Sequence, residues 1–199
     1  MQFAGSVLCK HSIERHVNGA PPVSIDIVGH AIVSADGMIA DRDHRMPAAL
    51  RSEADWRRFQ AALDSAALVV LGRLGHEAHP NPGRKRLVVT SRAAWLERDP
   101  GDDNIMLWNP DGISFRRVLA GLSIADGTIA VTGGQRVFDL FLPGFTQFDL
   151  VTVADVTIPD GVPCFSGGPP REMLAQAGMR VAETEELEAG VTLQLWRRD

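Results

Sequence analysis

Residues 128–144, TIAVTGGQRVFDLFLPG, narrow the architecture more than any other stretch. Thr128 to Thr132 is a short apolar run that ends in Gly133-Gly134. From Gln135 to Leu142 the spacing turns helical, with Val137, Phe138, Phe141 and Leu142 on one side. The pattern is a strand, two glycines and the start of a helix. Adjacent glycines admit backbone conformations closed to other residues and let a ligand come close. The helix N-terminus after them offers free N–H groups and the positive end of a dipole, which suits a phosphate. A tight strand-to-helix turn with no ligand explains the same residues, so this segment alone leaves both readings open.

The rest of the chain repeats the alternation. Val23 to Val33 is rich in β-branched residues and predicts a buried strand, followed by a turn at Asp36-Gly37. Ser52 opens a helix running to about Ala66, with Asp55 three residues on as a capping-box variant. Leu68 to Leu71, Arg86 to Thr90 and Ile105 to Trp108 read as strands, and Gly72 to Ala78 as one helical turn. Ser114 to Leu122 places Phe115, Val118, Leu119 and Leu122 on one helical stripe. Phe148 to Val156 is a strand, and residues 157–168 form a Pro/Gly-rich loop. Arg171 to Ala177 is a short helix, and Arg180 to Leu187 with Val191 to Arg197 form a closing hairpin. Strands alternating with helices imply an α/β fold: a mostly parallel mixed sheet, helices on both faces and a C-terminal antiparallel hairpin. Residues 1–22, ending in Pro21-Pro22, read as an N-terminal extension, and 23–199 as a single domain.

Bulk properties exclude several classes. A net charge of -5 argues against a general nucleic-acid binder, which needs a basic face. No apolar run reaches the length of a membrane span, and the N-terminus has no signal-peptide core. Two cysteines far apart, Cys9 and Cys164, are not a disulfide framework and suit a reducing cytoplasm. His76 with His79, and His11 with His16, lack the cysteine or carboxylate partners of a zinc site, so no metal is expected. His30, inside the first strand, reads as a core or pocket-wall histidine. The apolar LQLW of the last strand suits a subunit interface, leaving room for a homodimer.

In parallel sheets, ligands sit at the carboxyl ends of strands, and the polar motifs fall there. Thr90-Ser91-Arg92 follows the strand RLVVT, and Arg73 follows Gly72 at the end of LVVL. A hydroxyl and two guanidiniums at neighbouring strand ends can grip a phosphate monoester; solvated surface arginines are the plain alternative. On a wheel of about 100° per residue, Asp55 falls among Phe59, Ala62 and Ala66, with Glu53 nearly opposite. A carboxylate on an apolar face needs a partner or takes a raised pKa, useful for binding or protonating a nitrogen heterocycle. A helix cap is the competing role for Asp55.

Together these segments resemble the dihydrofolate reductase superfamily, which includes the reductase domain of riboflavin biosynthesis. The resemblance runs from about Val23 to Phe165. It rests on SADGMIA, MPAALRSEADWRRF, VVLGR, PGRKRLVVTSR, VTGGQRVFDLFLP and DLVTVADVTIPDGVPCF. It implies an NADPH-dependent reductase acting on a small heterocyclic substrate, a pteridine or a ribosylaminopyrimidine; a dinucleotide-binding protein without turnover is the rival. It implies that Asp55 binds and helps protonate the heterocycle, with Thr152 bonded to it, Phe59 against the ring and Arg84 on a substrate carboxylate. Gly72, Arg73, Thr90, Ser91 and Arg92 correspond to the adenosine-phosphate contacts. Gly133, Gly134, Gln135, Arg136 and Val137 correspond to the pyrophosphate and nicotinamide contacts, with a cis peptide joining the glycines. Ile39 and Ala31 wall the nicotinamide site. Several residues depart from the dihydrofolate reductase pattern: Ala48 replaces a tryptophan, Gly75 a threonine, Asn81 an apolar residue and Phe138 a tyrosine. The spacing from Leu50 to Asp55 is long, which keeps Glu53 open as the acid. SADG is close to the signature of the riboflavin-pathway reductases.

Overall fold

Strand β1 (Ile25–Ser34) sets the two faces of the sheet by its alternation. The computed structural model describes residues 24–79 and 83–198; the N-terminal extension with His11 and His16, and Asn81, lie outside them. On β1, Val33 joins the larger core, while His30 and Ile32 face the other way. The short β2 (Met38–Ala40) follows the Asp36-Gly37 turn, and helix α1 (Glu53–Ser65) comes next. Ser52 caps α1 by accepting a bond from the Asp55 N–H at 3.2 Å. Then come β3 (Leu68–Gly72), α2 (Arg73–Ala78), β4 (Arg86–Val89), β5 (Leu96–Arg98) and β6 (Ile105–Trp108). Helix α3 (Phe115–Gly121), β7 (Gly127–Val131) and α4 (Gln135–Phe141) build the segment around the glycine pair. The chain closes with β8 (Gln147–Val153), β9 (Val162–Pro163), α5 (Pro170–Gln176), β10 (Met179–Glu188) and β11 (Val191–Arg198).

Nine strands form one sheet in the order β10-β11-β8-β1-β7-β3-β4-β6-β5. The six strands from β8 to β6 run parallel. The β10–β11 hairpin pairs antiparallel onto β8, as the terminal hairpin predicts. β2 and β9 form a separate two-stranded ribbon. β5, β2 and β9 are not foreseen in the sequence; at two or three residues they are too short for a visible period.

The larger core packs α3, α4 and α5 against one face through Val118, Phe138, Phe141 and Leu174. Phe138, Phe145, Phe148 and Phe165 meet edge-on or tilted, with centroids 5.1 to 6.0 Å apart. Such pairs add about 0.5–1.5 kcal/mol beyond their burial. α1 covers the other face, where Leu63 and Phe59 pack with Val69 and Ala130. The parallel order brings the ends of β1, β3, β4 and β7 to one edge, where the candidate site is built.

Candidate functional site

At that edge the glycine pair lies beside the end of β3. The Gly72 N–H donates to the Gly133 carbonyl at 2.7 Å, which ties the two strand ends together. The peptide between Gly133 and Gly134 is cis, as the resemblance implies. The two glycines differ in what they require. Gly133 has φ +90°, and a Cβ there would meet the Phe138 ring at 2.6 Å. Gly134 is exposed with φ -72°, and a Cβ there meets nothing nearer than Ile39 Cδ1 at 3.8 Å. Packing forbids a side chain at Gly133 but not at Gly134, so Gly134 leaves bare backbone next to Ile39. At Gly72 an added Cβ would come within 3.7 Å of Gly133 O and Gly134 N and 3.5 Å of Val137 Cγ2. Gly72, Gly133, Gly134, Ile39 and Val137 thus lie together at this edge. The bare backbone at Gly134 is open to close approach. Val137 is buried behind the glycines, while Gln135 and Arg136 lie further out.

The SADG turn, which ends two residues before Ile39, is fixed by its own bonds. The Asp36 carboxylate accepts the Ile158 N–H at 3.1 Å and a bond from Ser34 Oγ. Burial pushes its pKa up, but the bonds from Ser34 and Ile158 outweigh this and hold it below the ordinary value. Gly37, at φ +84°, accepts the Cys164 N–H at 3.0 Å, fastening the turn to the loop after β9.

Further along the edge, Arg73 and Arg92 do converge. They meet on Glu77: Arg73 Nη1 is 2.7 Å from both carboxylate oxygens, and Arg92 Nη1 is 3.9 Å from Oε1. Ser91 is exposed, and Thr90 is buried with its hydroxyl accepting the Arg92 N–H at 3.2 Å. Glu77 was not singled out in the sequence, where it reads as a surface residue.

On the opposite face of the sheet edge, Asp55 is half-buried and Glu53 is exposed, paired with Arg57. Among the described residues the Asp55 carboxylate makes no capping bond; the cap is made by Ser52 accepting its N–H. Desolvation raises the Asp55 pKa, against the opposing pull of Arg58 and His30. These neighbours belong to a buried cluster. Asp149 accepts Arg58 Nη2 at 2.8 Å and Gln147 Nε2 at 2.7 Å, and lies 3.3 Å from His30 Nδ1. Burial works to raise the Asp149 pKa, but His30 and Arg58 hold it below the ordinary value. The His30 ring meets Phe59 edge-on at 5.9 Å, joining the cluster to the wall expected beside a heterocycle. Trp56, half-exposed, leans on Phe59 at 6.1 Å. An open cavity of about 560 Å³ flanks the cluster, lined by His30, Asp149, Gln147, Asp26 and Ala62.

Two expected residues, Thr152 and Arg84, do not join this group. Thr152 faces away. His30 pairs in register with Asp149, so Asp149, Val151 and Val153 share the α1 face. Thr152 alternates onto the far side with Phe148 and Leu150. Ala31, expected to wall the nicotinamide site with Ile39, packs by the same alternation against the larger core, as Ile39 does. Arg84 Nη2 and Nε instead bond Asp64 and Gln60 of α1. These lie nine and five residues beyond Asp55, turned about 180° and 140° around the helix. Arg84 therefore sits on another flank of α1, with its Nη1 buried and without a partner among the described residues. Asp149 and Arg58 were not anticipated; a carboxylate within the apolar run FDLVTV is the signal that marks Asp149. Among the described residues no three His, Cys, Asp or Glu side chains gather as a metal set. No described helix is long and apolar enough to cross a membrane.

No protein-family model and no curated protein matches the sequence. Solved structures do. Dihydrofolate reductase from Enterococcus faecalis, complexed with NADP(H) and RAB-propyl, superposes with a TM-score of 0.61 at 16% identity, covering 87% of this chain and 96% of that one. A putative riboflavin biosynthesis protein from Shewanella sp. PV-4 gives 0.64 at 15%, covering 87% and 99%. The diaminohydroxyphosphoribosylaminopyrimidine deaminase/5-amino-6-(5-phosphoribosylamino)uracil reductase of Thermotoga maritima gives 0.63 at 15%; the match covers 87% of this chain and 56% of that one. The chain has the dihydrofolate reductase-like fold.

Proposed function

We propose that this protein is an NADPH-dependent oxidoreductase that reduces a small nitrogen heterocycle, a pteridine or a ribosylaminopyrimidine. The observation that carries this reading is the meeting of Gly72, Gly133, Gly134 and Ile39 at the sheet edge, where Gly134 lacks a side chain that the packing has room for. The nicotinamide supplies the hydride when bound; the protein's part is positioning and electrostatics. Gly134 and Ile39 would hold the flat ring at the sheet edge. Asp55, with its pKa raised, would hold or deliver a proton at the heterocycle nitrogen, and Phe59 would pack on its face. The likeness to a dihydrofolate reductase complexed with NADP(H) supports the cofactor.

One observation favours the ribosylaminopyrimidine over the pteridine. Arg84 is engaged by Asp64 and Gln60 on another flank of α1, away from Asp55 and Phe59. Arg84 is thus already engaged by protein groups rather than free for a substrate carboxylate. The test is NADPH oxidation, followed by nicotinamide absorbance, with dihydrofolate and with a phosphoribosylaminopyrimidine. Turnover of one substrate alone names the class. NADPH binding with no turnover of either leaves the rival, a dinucleotide-binding protein.

A further inference from the structure

We propose that Glu77 is a specificity-determining residue whose carboxylate stands in for a phosphate monoester between Arg73 and Arg92 and so sets the choice between NADPH and NADH. The proposal rests on the reading that the sheet edge binds a nicotinamide dinucleotide. Arg73 leaves the end of β3 and Arg92 the end of β4, yet both guanidiniums are drawn to one carboxylate. Arg73 meets both Glu77 oxygens at 2.7 Å from a single nitrogen. The pairing with Arg73 is the main cause that lowers the Glu77 pKa, with both arginines' charges adding to it. An anion therefore already occupies the place between the arginines.

A phosphate monoester carries about -1.5 to -2 charge at pH 7 and three acceptor oxygens, so it competes for the same donors. It cannot share them with Glu77, because two anions in one slot repel each other. Binding NADPH must turn Glu77 away from Arg73. NADH makes no such demand, and a carboxylate near a strand end can accept a ribose hydroxyl bond. Glu77 thus weakens NADPH selectively and holds the two cofactors closer in affinity than the arginine pair alone would.

The test measures Kd for NADPH, NADH, 2′-AMP and ribose 5-phosphate by calorimetry on wild type, Glu77→Gln and Glu77→Ala. Glu77 is exposed, and thermal melts check that both variants remain folded. The expected result is NADPH and 2′-AMP tightened roughly 1.5- to fivefold, the scale of an exposed ion pair, with NADH not tightened. Adding Arg73→Ala to Glu77→Gln should abolish the gain. Equal shifts for NADPH and NADH, or no shift, overturn the assignment while leaving dinucleotide binding intact. Tightening of ribose 5-phosphate without NADPH also overturns it, because the arginine pair then serves another phosphate. Failure of every form to bind either dinucleotide defeats the underlying reading instead.

Discussion

Asp149→Asn tests the buried cluster beside Phe59. The Asp149 side chain is 4% exposed and receives Arg58 at 2.8 Å, Gln147 at 2.7 Å and His30 at 3.3 Å. Asparagine keeps the shape but removes the charge and one acceptor. A hydrogen bond to a charged group contributes about 1.5–3 kcal/mol, and breaking a buried pair costs about 3–5 kcal/mol. The Arg58 side chain is 31% exposed, so water recovers part of its loss. The expected destabilisation is about 3 kcal/mol at neutral pH, a fall in Tm of roughly 6–12 °C for a chain this size. Urea unfolding of both proteins measures it. The pH dependence follows from the direction of the shift. The folded Asp149 pKa lies below the ordinary value, so its contribution is fully present above the unfolded carboxylate pKa. It is lost as pH falls through the folded pKa. The gap between wild type and variant should therefore close with acid. A difference under about 1 kcal/mol at neutral pH would place the cluster among ordinary surface pairs and refute the reasoning.

Asp55→Asn should strongly lower turnover while leaving NADPH affinity nearly unchanged, read by steady-state kinetics and calorimetry. The same variant should be more stable than wild type at neutral pH, because burial raises the Asp55 pKa and penalises the folded anion; the gain should vanish below the unfolded carboxylate range, as urea titrations across pH would show. Gly133→Ala should destabilise by about 1–3 kcal/mol from overpacking against Phe138 and unfavourable φ. Gly134→Ala should change stability by less than about 0.5 kcal/mol yet weaken NADPH, so melts and binding assays should separate the neighbours. Arg92→Ala should weaken NADPH more than NADH, by a margin of roughly 1.5–3 kcal/mol for a charged hydrogen bond at most, less for so exposed a side chain.

The glycine-pair segment was legible in the sequence because its demands are local. A positive φ, a close approach to Phe138 and a strand-to-helix switch are all written within a few residues. The same holds for Ser52 as the cap of α1 and for the terminal hairpin. Thr152 was not legible because strand parity is not local. Nothing in DLVTVAD alone says which alternate set faces α1, and a one-residue difference exchanges the whole set. The register is set by the pairing of β8 with β1, where the buried Asp149 carboxylate stands opposite His30. A charge that must be paired is a stronger guide to the inward face than a hydroxyl that can be satisfied on either side. The same reasoning separates the two arginine assignments. Arg73 and Arg92 were placed at neighbouring strand ends, and the parallel order does bring them together. Their shared anion, Glu77, lies one helical turn beyond Arg73, close in sequence yet indistinguishable there from a solvated carboxylate. Only the convergence of two strand ends distinguishes it, because that convergence sets its carboxylate between two guanidiniums.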